Sequence, residues 1–276
     1  MSRLTDELRF YAAKARQFQA RRVDPQLTDH PEYLSTLRRD GIVLVENFIG
    51  PEHITEIIEE IQTRTDLMTD RSSPHIVKRN ARYLLIDPAA RLPSTRVFFD
   101  SDVVSRLARS YLSKDAVPDR PAVQLKTDIG ETSIVDFYHI DEWRYLLSAF
   151  LLLTDVGADE APMMYLKGSH RPRPWRIRKE QEFYFYYDRN NAGEYANEES
   201  PYCGCYLPTE VRRLRERYGY EPITCTGRAG TLILFDNRGL HRASPLRRNY
   251  RLILSCYWML PHSTDPGQPR PAPPRG

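Results

Sequence analysis

The sequence has no long hydrophobic run and little cysteine. Its longest apolar stretches are short, such as 149–153, which polar residues flank on both sides, whereas a helix that crosses a bilayer needs about 20 apolar residues. The N-terminal residues are charged and lack the apolar core of a secretion signal. Four cysteines in 276 residues are too few for a secreted disulfide framework, and Cys203 and Cys205 are too close for a CxxC pair. These absences predict a reduced, cytoplasmic protein without a membrane span.

An excess of charge of one sign is also absent. The chain has 40 Lys and Arg against 37 Asp and Glu, which gives a formal net charge of +3. A nearly balanced charge provides no electrostatic footprint for nucleic acid or for an anionic membrane surface. We therefore expect neither nucleic acid nor a membrane as a partner. The sequence leaves the oligomeric state open.

The N-terminal part carries helical patterns. Apolar residues at helical intervals predict a helix over 4–21 and a second helix over 32–39. A strand is predicted over 41–48, because turn residues bound an apolar run there. After Pro51, four isoleucines recur at helical spacing and predict a third helix. These elements predict a helical part that packs on the rest of the chain.

From about Arg82 the pattern changes to short apolar segments separated by turn residues. Strands are predicted over 83–86, 96–99, 122–126, 134–139, 146–154, 162–166, 223–226, 231–235 and 250–258, and a helix over 101–112 interrupts them. Many short strands with Gly, Pro and Asp between them are typical of a sandwich or barrel-like β fold. The sequence therefore predicts a mainly β fold with flanking helices, in one domain over residues 1–260.

Two segments depart from this pattern. Residues 171–220 form a polar and aromatic insertion, and long excursions between strands are often active-site lids. We therefore predict a lid-like insertion there. Residues 261–276 are rich in proline and are predicted to be a disordered tail.

The first chemical signal is the pair His139 and Asp141, at the end of the strand predicted over 134–139. Residues i and i+2 of a strand point to the same face, so an imidazole and a carboxylate are expected to face one cavity. They are two of the three ligands of the 2-His-1-carboxylate triad that binds Fe(II) and leaves coordination positions open. The pair alone is a weak motif, because it is common by chance.

A second histidine and an arginine strengthen this interpretation. His241 follows the strand predicted over 231–235 and the turn after it, and Arg251 lies in the apolar strand predicted over 250–258. An arginine in such a strand is costly to bury without an anionic partner. The distal carboxylate of 2-oxoglutarate would match its planar fork. Arg247 and Arg248 are close enough to compete for this role.

The chain resembles the phytanoyl-CoA dioxygenase-like oxygenases, which use Fe(II) and 2-oxoglutarate. The matching words are Asp40-Gly-Ile-Val-Leu-Val-Glu-Asn-Phe48, His139-Ile-Asp141-Glu-Trp, Ala149-Phe-Leu-Leu-Leu-Thr-Asp-Val156, Lys167-Gly-Ser-His170, Gly230-Thr-Leu-Ile-Leu-Phe-Asp236 and His241-Arg-Ala-Ser. The resemblance implies a double-stranded β-helix (a jelly-roll, cupin-like core) and an iron held by His139, Asp141 and His241. It also implies 2-oxoglutarate and O2 as co-substrates, with Arg251 as the anchor of the distal carboxylate.

The activity that the resemblance implies is oxidation of an unactivated C–H bond of a small-molecule substrate, a small organic molecule, with release of succinate and CO2. We expect its setting to be secondary metabolism. Relatives that chlorinate replace the carboxylate ligand by a small residue. This chain keeps Asp141, which favours hydroxylation. Desaturation, epoxidation and ring closure use the same chemistry and stay open.

Two features depart from the family pattern. Residues 146–149 lack the basic or amide side chain that family members often carry after the His-x-Asp motif, and the spacing from His241 to Arg251 is about one residue short. Gln124 and Lys126 share one strand face and are further candidates for binding 2-oxoglutarate.

Other residues near the motif have open roles. Trp143 and Arg144 are candidates for substrate contact, with packing under the rim of the site as the alternative, and His170 is expected to be structural. Two other functions stay open, namely a catalytically inactive β-helix that binds a small molecule and a cupin-type metalloenzyme that does not use 2-oxoglutarate.

Overall fold

The computed structural model describes residues 3–190 and 204–261. The predicted tail from residue 262 onward and the part of the predicted lid at 191–203 lie outside the described residues. The helices are α1 (Arg3–Ala20), α2 (Pro31–Asp40), α3 (Pro51–Arg64), α4 (Arg96–Phe99), α5 (Asp102–Tyr111), α6 (Pro174–Asn190) and α7 (Pro208–Tyr218). Over these two ranges, no helix has both the length and the apolar character needed to cross a bilayer.

The strands form two antiparallel sheets. They are β1 (Ile42–Val45), β2 (Ile76–Arg79), β3 (Arg82–Ile86), β4 (Val117–Lys126), β5 (Leu146–Leu152), β6 (Met163–Leu166), β7 (Pro222–Cys225), β8 (Leu232–Asp236), β9 (His241–Arg242) and β10 (Arg251–Met259). The larger sheet has the order β1-β8-β5-β10-β4-β3-β2, and the smaller sheet has the order β7-β6-β9. The chain is mainly β with flanking helices, as the sequence predicts.

The apolar core has two parts, because successive side chains of the strands point to opposite faces of the larger sheet. On β10, Leu252 and Leu254 belong to the large apolar cluster that includes residues of α2, α3 and α5, whereas Ile253 belongs to the cluster between the two sheets. Successive residues of a strand point to opposite faces, and both faces of β10 are therefore buried. Each fully buried Leu or Ile stabilises the fold by roughly 1.5–3 kcal/mol. The larger sheet is thus held between the helices and the smaller sheet.

Local chemistry explains where the N-terminal elements begin and end. Helix α2 begins at Pro31 and ends at Asp40. Gly41 caps it, with a left-handed backbone (φ 81°) and an N–H that donates to the Leu37 carbonyl. Glycine adopts this conformation without strain, so the chain can turn directly into β1. Helix α3 begins at Pro51 and buries Ile54, Ile57 and Ile61 on one face. The helices predicted over 4–21, 32–39 and 101–112 correspond to α1, α2 and α5.

Two predicted strands are wrong. Residues 96–99 form α4, because the 3-10 helix Pro93–Thr95 precedes them in helical geometry and the N–H of Asp100 donates to the carbonyl of Arg96. Their β-branched and aromatic side chains mimic a strand in the sequence. Residues 134–136 form a 3-10 helix, since the N–H of Ser133 donates to the Asp136 carboxylate and the N–H of Asp136 donates back to the Ser133 carbonyl. Such local side-chain bonds compete with strand pairing.

Candidate metal centre

His139, Asp141 and His241 converge, although they lie on different elements. One ligand atom from each lies within 4.8 Å of the others. His139 is not at the end of a strand but forms isolated antiparallel bridges with His241 and Cys205. Its N–H donates to the carbonyl of His241 at 2.9 Å, and the reverse bond measures 3.1 Å. This backbone pairing holds the two imidazole-bearing segments side by side and brings Asp141 between them.

The two imidazole rings are oriented by the same kind of hydrogen bond. The Nδ1 atom of His139 lies 2.8 Å from the carbonyl oxygen of Phe137, and that of His241 lies 2.8 Å from the carbonyl oxygen of Gly239. A carbonyl can only accept, so each Nδ1 carries a proton, and in the neutral form of each ring the lone pair lies on Nε2. The Nε2 atoms lie 3.2 and 3.4 Å from the two carboxylate oxygens of Asp141. All three donor groups therefore face the same point.

In the absence of a metal, the charges of the three groups stabilise one another. Burial would raise the pKa of Asp141, but the charges and hydrogen bonds of His241 and His139 outweigh it and hold that pKa well below its usual range. Burial would lower the pKa of His241, and the Asp141 carboxylate raises it overall. A bound cation would compete with this proton for the Nε2 lone pair. Two imidazole nitrogens and one carboxylate oxygen are the donor set of the Fe(II) facial triad, so the residues present fit a non-haem iron.

The turn that leads to His241 is held by a buried carboxylate. Asp236 accepts hydrogen bonds from the backbone N–H of Arg238 at 2.9 Å, from its guanidinium at 3.0 and 2.6 Å, and from the Tyr111 hydroxyl at 2.7 Å. The carbonyl of Asn237, in the same turn, accepts the N–H of Asp141 at 3.3 Å. Asp236 thus organises a turn that contacts both ligand-bearing segments. The role of Asp236 was not predicted from the sequence. The pattern that could have indicated it is the charged pair Asp236 and Arg238 directly after an apolar strand.

Gly239 allows a close approach within this turn. A Cβ atom at this position would lie 1.8 Å from the Tyr165 hydroxyl oxygen, so any other residue would displace the tyrosine. That hydroxyl donates to the Asp236 carbonyl at 3.0 Å, and the Tyr165 ring stacks against His241 with a centroid distance of 6.4 Å. The His241 ring is therefore held both by its hydrogen bond to Gly239 and by packing against Tyr165.

A pair of buried cations lies on the inner face of the larger sheet. Arg251 of β10 is directly opposite Lys126 of β4, and their side chains are 8% and 2% exposed. Within the described ranges, neither forms an ion pair, and the Arg251 Nε atom makes no hydrogen bond. Burial, and then the charge of Arg82, lowers the pKa of Arg251 to about 10. Burial also lowers the pKa of Lys126.

Arg82 is a third cation of this region, and no local pattern in the sequence indicates it. Its charge lowers the pKa values of Arg251 and Lys126, and it opposes the rise in the pKa of His241. Arg82 is therefore close enough to act on both the buried cation pair and the metal ligands. Its Nε atom is buried without a hydrogen-bond partner. Only the pairing of β3 with β4 brings this residue to the site.

The remaining candidates for binding 2-oxoglutarate differ in their burial. The side chains of Arg247 and Arg248 are 74% and 66% exposed, with Arg247 near Asp159 and Arg248 paired with Glu160 at 2.7 Å, so they lie apart from the buried pair. Gln124 is buried, and its amide nitrogen donates to the Ser255 hydroxyl at 2.7 Å. Its amide oxygen is buried without a partner. Of the three arginines considered from the sequence, only Arg251 is in the interior.

Trp143 packs beneath the site. Its side chain is buried, and its ring contacts Phe10 and Tyr184 at centroid distances of 6.1 and 5.2 Å. This packing favours a structural role for Trp143 under the rim of the site over contact with the substrate. Arg144 donates to the Glu142 carboxylate at 2.6 Å and is half-buried. Direct substrate contact by Trp143 and Arg144 remains a prediction.

His170 has the structural position expected for it. It is buried, and its Nε2 atom lies 3.3 Å from the Arg38 carbonyl oxygen. Within residues 3–190 and 204–261, it does not belong to the cluster of side chains that could hold a metal ion. Burial, despite the opposing charge of Asp236, lowers its pKa to about 4. His170 is therefore a neutral core residue at neutral pH.

Comparison with known proteins identifies the family. The family model described as phytanoyl-CoA dioxygenase (PhyH) matches residues 37–249. The chain belongs to this family. This confirms the predicted membership in a family of non-haem iron, 2-oxoglutarate-dependent oxygenases.

Two relatives align with most of this chain at low sequence identity. An ectoine dioxygenase of Nocardia farcinica is 23% identical over 234 residues, which is 80% of this chain and 74% of the relative. An ectoine dioxygenase of Bordetella bronchiseptica is 22% identical over 229 residues, which is 76% of this chain and 68% of the relative.

Solved structures share the fold. The epimerase SnoN, in complex with Fe3+, alpha ketoglutarate and nogalamycin RO, has a TM-score of 0.60 and 19% identity, and the match covers 86% of this chain and 84% of SnoN. EctD from S. alaskensis, with 2-oxoglutarate and 5-hydroxyectoine, has a TM-score of 0.60 and 18% identity, and the match covers 87% of this chain and 82% of EctD. These similarities confirm the predicted double-stranded β-helix, or jelly-roll, core.

Proposed function

We propose that this protein holds one Fe(II) through His139, Asp141 and His241 and couples the oxidation of 2-oxoglutarate to that of a small organic molecule. The observation that carries the proposal is the convergence of these three side chains, with both Nε2 atoms turned towards the Asp141 carboxylate. Histidines that merely packed in the core would not need their Nδ1 protons fixed and their lone pairs directed to one point.

The buried pair of cations supports 2-oxoglutarate as the co-substrate. Two adjacent cations without an ion-pair partner are costly in a protein interior. Arg251 and Lys126 are such a pair, although the charge of Asp136, beyond ion-pair distance, opposes part of the lowering of their pKa values. A carboxylate between them would neutralise part of the charge and could accept hydrogen bonds from the planar guanidinium. We assign this place to the distal carboxylate of 2-oxoglutarate. The partnerless amide oxygen of Gln124 lies on the same strand face and is available to a donor.

Each residue then has a defined part in the reaction. The iron, when bound together with 2-oxoglutarate and O2, supplies the oxidising chemistry, with succinate and CO2 as products of the co-substrate. His139, Asp141 and His241 hold the metal on one side, and Arg251 and Lys126 orient the co-substrate by its far end. Ile253, Leu152 and Phe235 form apolar surface between the sheets and help to exclude water. Because Asp141 is kept, we propose hydroxylation of a C–H bond as the outcome.

The substrate is proposed only as a class. Two relatives are named ectoine dioxygenases, and the SnoN structure holds nogalamycin RO. At 19–23% identity these names do not transfer to this chain. They support a small organic molecule as substrate and secondary metabolism as the setting.

Anaerobic titration of the metal-free protein with Fe(II) and then 2-oxoglutarate tests the proposal. A chelated keto acid on Fe(II) gives a weak visible charge-transfer band, which we expect for the wild type and not for Asp141→Ala. Asp159→Ala, which removes a surface carboxylate, is the matched control and should keep the band. Iron binding without a band would favour the metalloenzyme that does not use 2-oxoglutarate, and absence of iron binding would favour the inactive binding module.

A further inference from the structure

Glu180 is a fully buried carboxylate between two cations. It lies on α6 and is 0% exposed. Lys14 of α1 forms an ion pair with its Oε2 atom, and Nη1 of Arg176, one turn earlier on α6, lies 3.8 Å from its Oε1 atom. Arg176 itself is 1% exposed. Burial lowers the pKa of Lys14, whereas the charge of Glu180 opposes this shift. This ion group is not part of the metal centre, and the proposed function does not use it.

Each of the two cations also donates to the backbone of a segment that carries a metal ligand. The Lys14 ammonium donates to the Trp143 carbonyl at 3.2 Å, two residues after Asp141. The Arg176 guanidinium donates to the Arg238 carbonyl at 2.5 Å, three residues before His241. The partners of these two bonds are 129 and 62 residues apart in the sequence. Lys14 and Arg176, the two cations beside Glu180, therefore contact the backbone of both segments that carry candidate metal ligands.

Further bonds fix the same two segments. On the first, the N–H of Tyr145 donates to the side-chain oxygen of Gln17, which is on α1 one turn after Lys14. On the second, the N–H of Leu240 donates to the Ser169 hydroxyl at 2.8 Å, and the Ser169 carbonyl accepts a bond from Arg176. Helices α1 and α6 thus satisfy backbone groups on both sides of the site.

We propose that Lys14, Glu180 and Arg176 form a clamp that fixes the segment of Asp141 relative to the segment of His241 and thereby sets the geometry of the metal centre. The inference rests on the proposed function, because it assumes that these ligands hold a metal. Glu180 is the centre of the clamp, since its carboxylate lies against both cations. The three are positioning residues, because they act through main-chain carbonyls. The N-terminal helix is then part of the machinery of the site.

A metal titration that needs neither substrate nor turnover tests the clamp. Co(II) serves as the probe, because its visible absorption reports the coordination geometry. Lys14→Met and Glu180→Gln should each weaken Co(II) binding about 10-fold or more, the range typical for groups that orient ligands, and should shift the absorption bands. Lys14→Arg, which retains the charge and a donor, should restore affinity close to that of the wild type.

A matched control separates positioning from general stability. Ile57→Val shortens a fully buried side chain of α3 in the large apolar cluster, remote in sequence from the clamp. It should lower the melting temperature and leave the Co(II) affinity within about twofold of the wild type. The Lys14 side chain is 24% exposed, and its replacement leaves Glu180 beside Arg176. Lys14→Met therefore decides the question if Glu180→Gln does not fold.

The outcomes distinguish the clamp from the proposed function. If the folded clamp variants bind Co(II) within about twofold of the wild type with unchanged bands, the clamp is wrong and the metal centre stands. If Ile57→Val weakens binding as much as the clamp variants at a similar melting temperature, the effect is general destabilisation and the clamp is again wrong. If the wild type binds neither Co(II) nor Fe(II), the proposed function itself fails.

Discussion

Arg251 on β10 and Lys126 on β4 face each other across a strand pair, and both are buried without a carboxylate in ion-pair contact among the described residues. This relationship predicts that removing either charge weakens the binding of 2-oxoglutarate. A hydrogen bond to a charged group contributes about 1.5–3 kcal/mol, so Arg251→Gln should raise the dissociation constant roughly 10- to 150-fold. Titration of the Fe(II)-loaded protein with 2-oxoglutarate, followed by the charge-transfer band, gives this constant.

The surface arginine next to this strand provides the control. Arg247→Gln removes a cation whose side chain is 74% exposed, and it should leave the dissociation constant unchanged. Equal losses in Arg251→Gln and Arg247→Gln would mean a general electrostatic effect and no specific anchor. An Arg251→Gln variant with full activity would favour a metalloenzyme that does not use 2-oxoglutarate.

Asp141→Ala should abolish oxidation and weaken iron binding, because it removes one of the three proposed protein ligands and the only carboxylate among them. Iron affinity is measured by anaerobic titration, and oxidation by the formation of succinate from 2-oxoglutarate. The fold should persist, since the surrounding turn is also held by the Asp141 N–H and by the bridges of His139. A variant that keeps both iron binding and succinate formation would show that the ligand set is wrong.

The sequence predicts the regular elements well where apolar periodicity decides them. Helices α1, α2, α3 and α5 and the strands of the core follow from this periodicity. The prediction fails at 134–136, where the Asp136 carboxylate accepts a hydrogen bond from the Ser133 N–H, and at 96–99, where the 3-10 helix Pro93–Thr95 comes first. Both local structures override strand propensity. The lid role of residues 171–220 stays a prediction, although Arg176 and Glu180 show that the first turns of α6 are anchored in the interior.

The sequence predicts the candidate metal-binding side chains but not the groups that orient them. His139, Asp141 and His241 have donor chemistry that is readable from residue type and order. Arg82 reaches the site only through the register of β3 with β4, and Lys14 only through the packing of α1. Such contacts depend on tertiary structure, and a single sequence without its fold has no local signal for them.

Asp236→Asn should destabilise the protein and weaken metal binding together. The substitution preserves shape but leaves the buried Arg238 guanidinium without a full counter-charge, and breaking a buried ion pair costs about 3–5 kcal/mol. The turn before His241 would lose its anchor at the same time. Urea denaturation gives the free energy of unfolding, and Co(II) titration gives the metal affinity. Asp159→Asn, on the surface, should change neither, and normal metal affinity in Asp236→Asn would contradict the orienting role.

His170 should make the protein less stable in mild acid. Its pKa is lowered to about 4 in the folded state by burial, against an ordinary value of 6.5, with Asp236 opposing the shift and Arg238 and Arg176 adding to it. Between these values the unfolded chain binds the proton and the folded chain does not, so the free energy of unfolding falls as the pH decreases from about 6.5 to 4. The full contribution is about 3 kcal/mol. Urea denaturation of the metal-free protein at pH 7 and pH 5 should therefore show a smaller loss of stability for His170→Gln than for the wild type. Equal losses in the two proteins would show that His170 does not titrate between the folded and unfolded states.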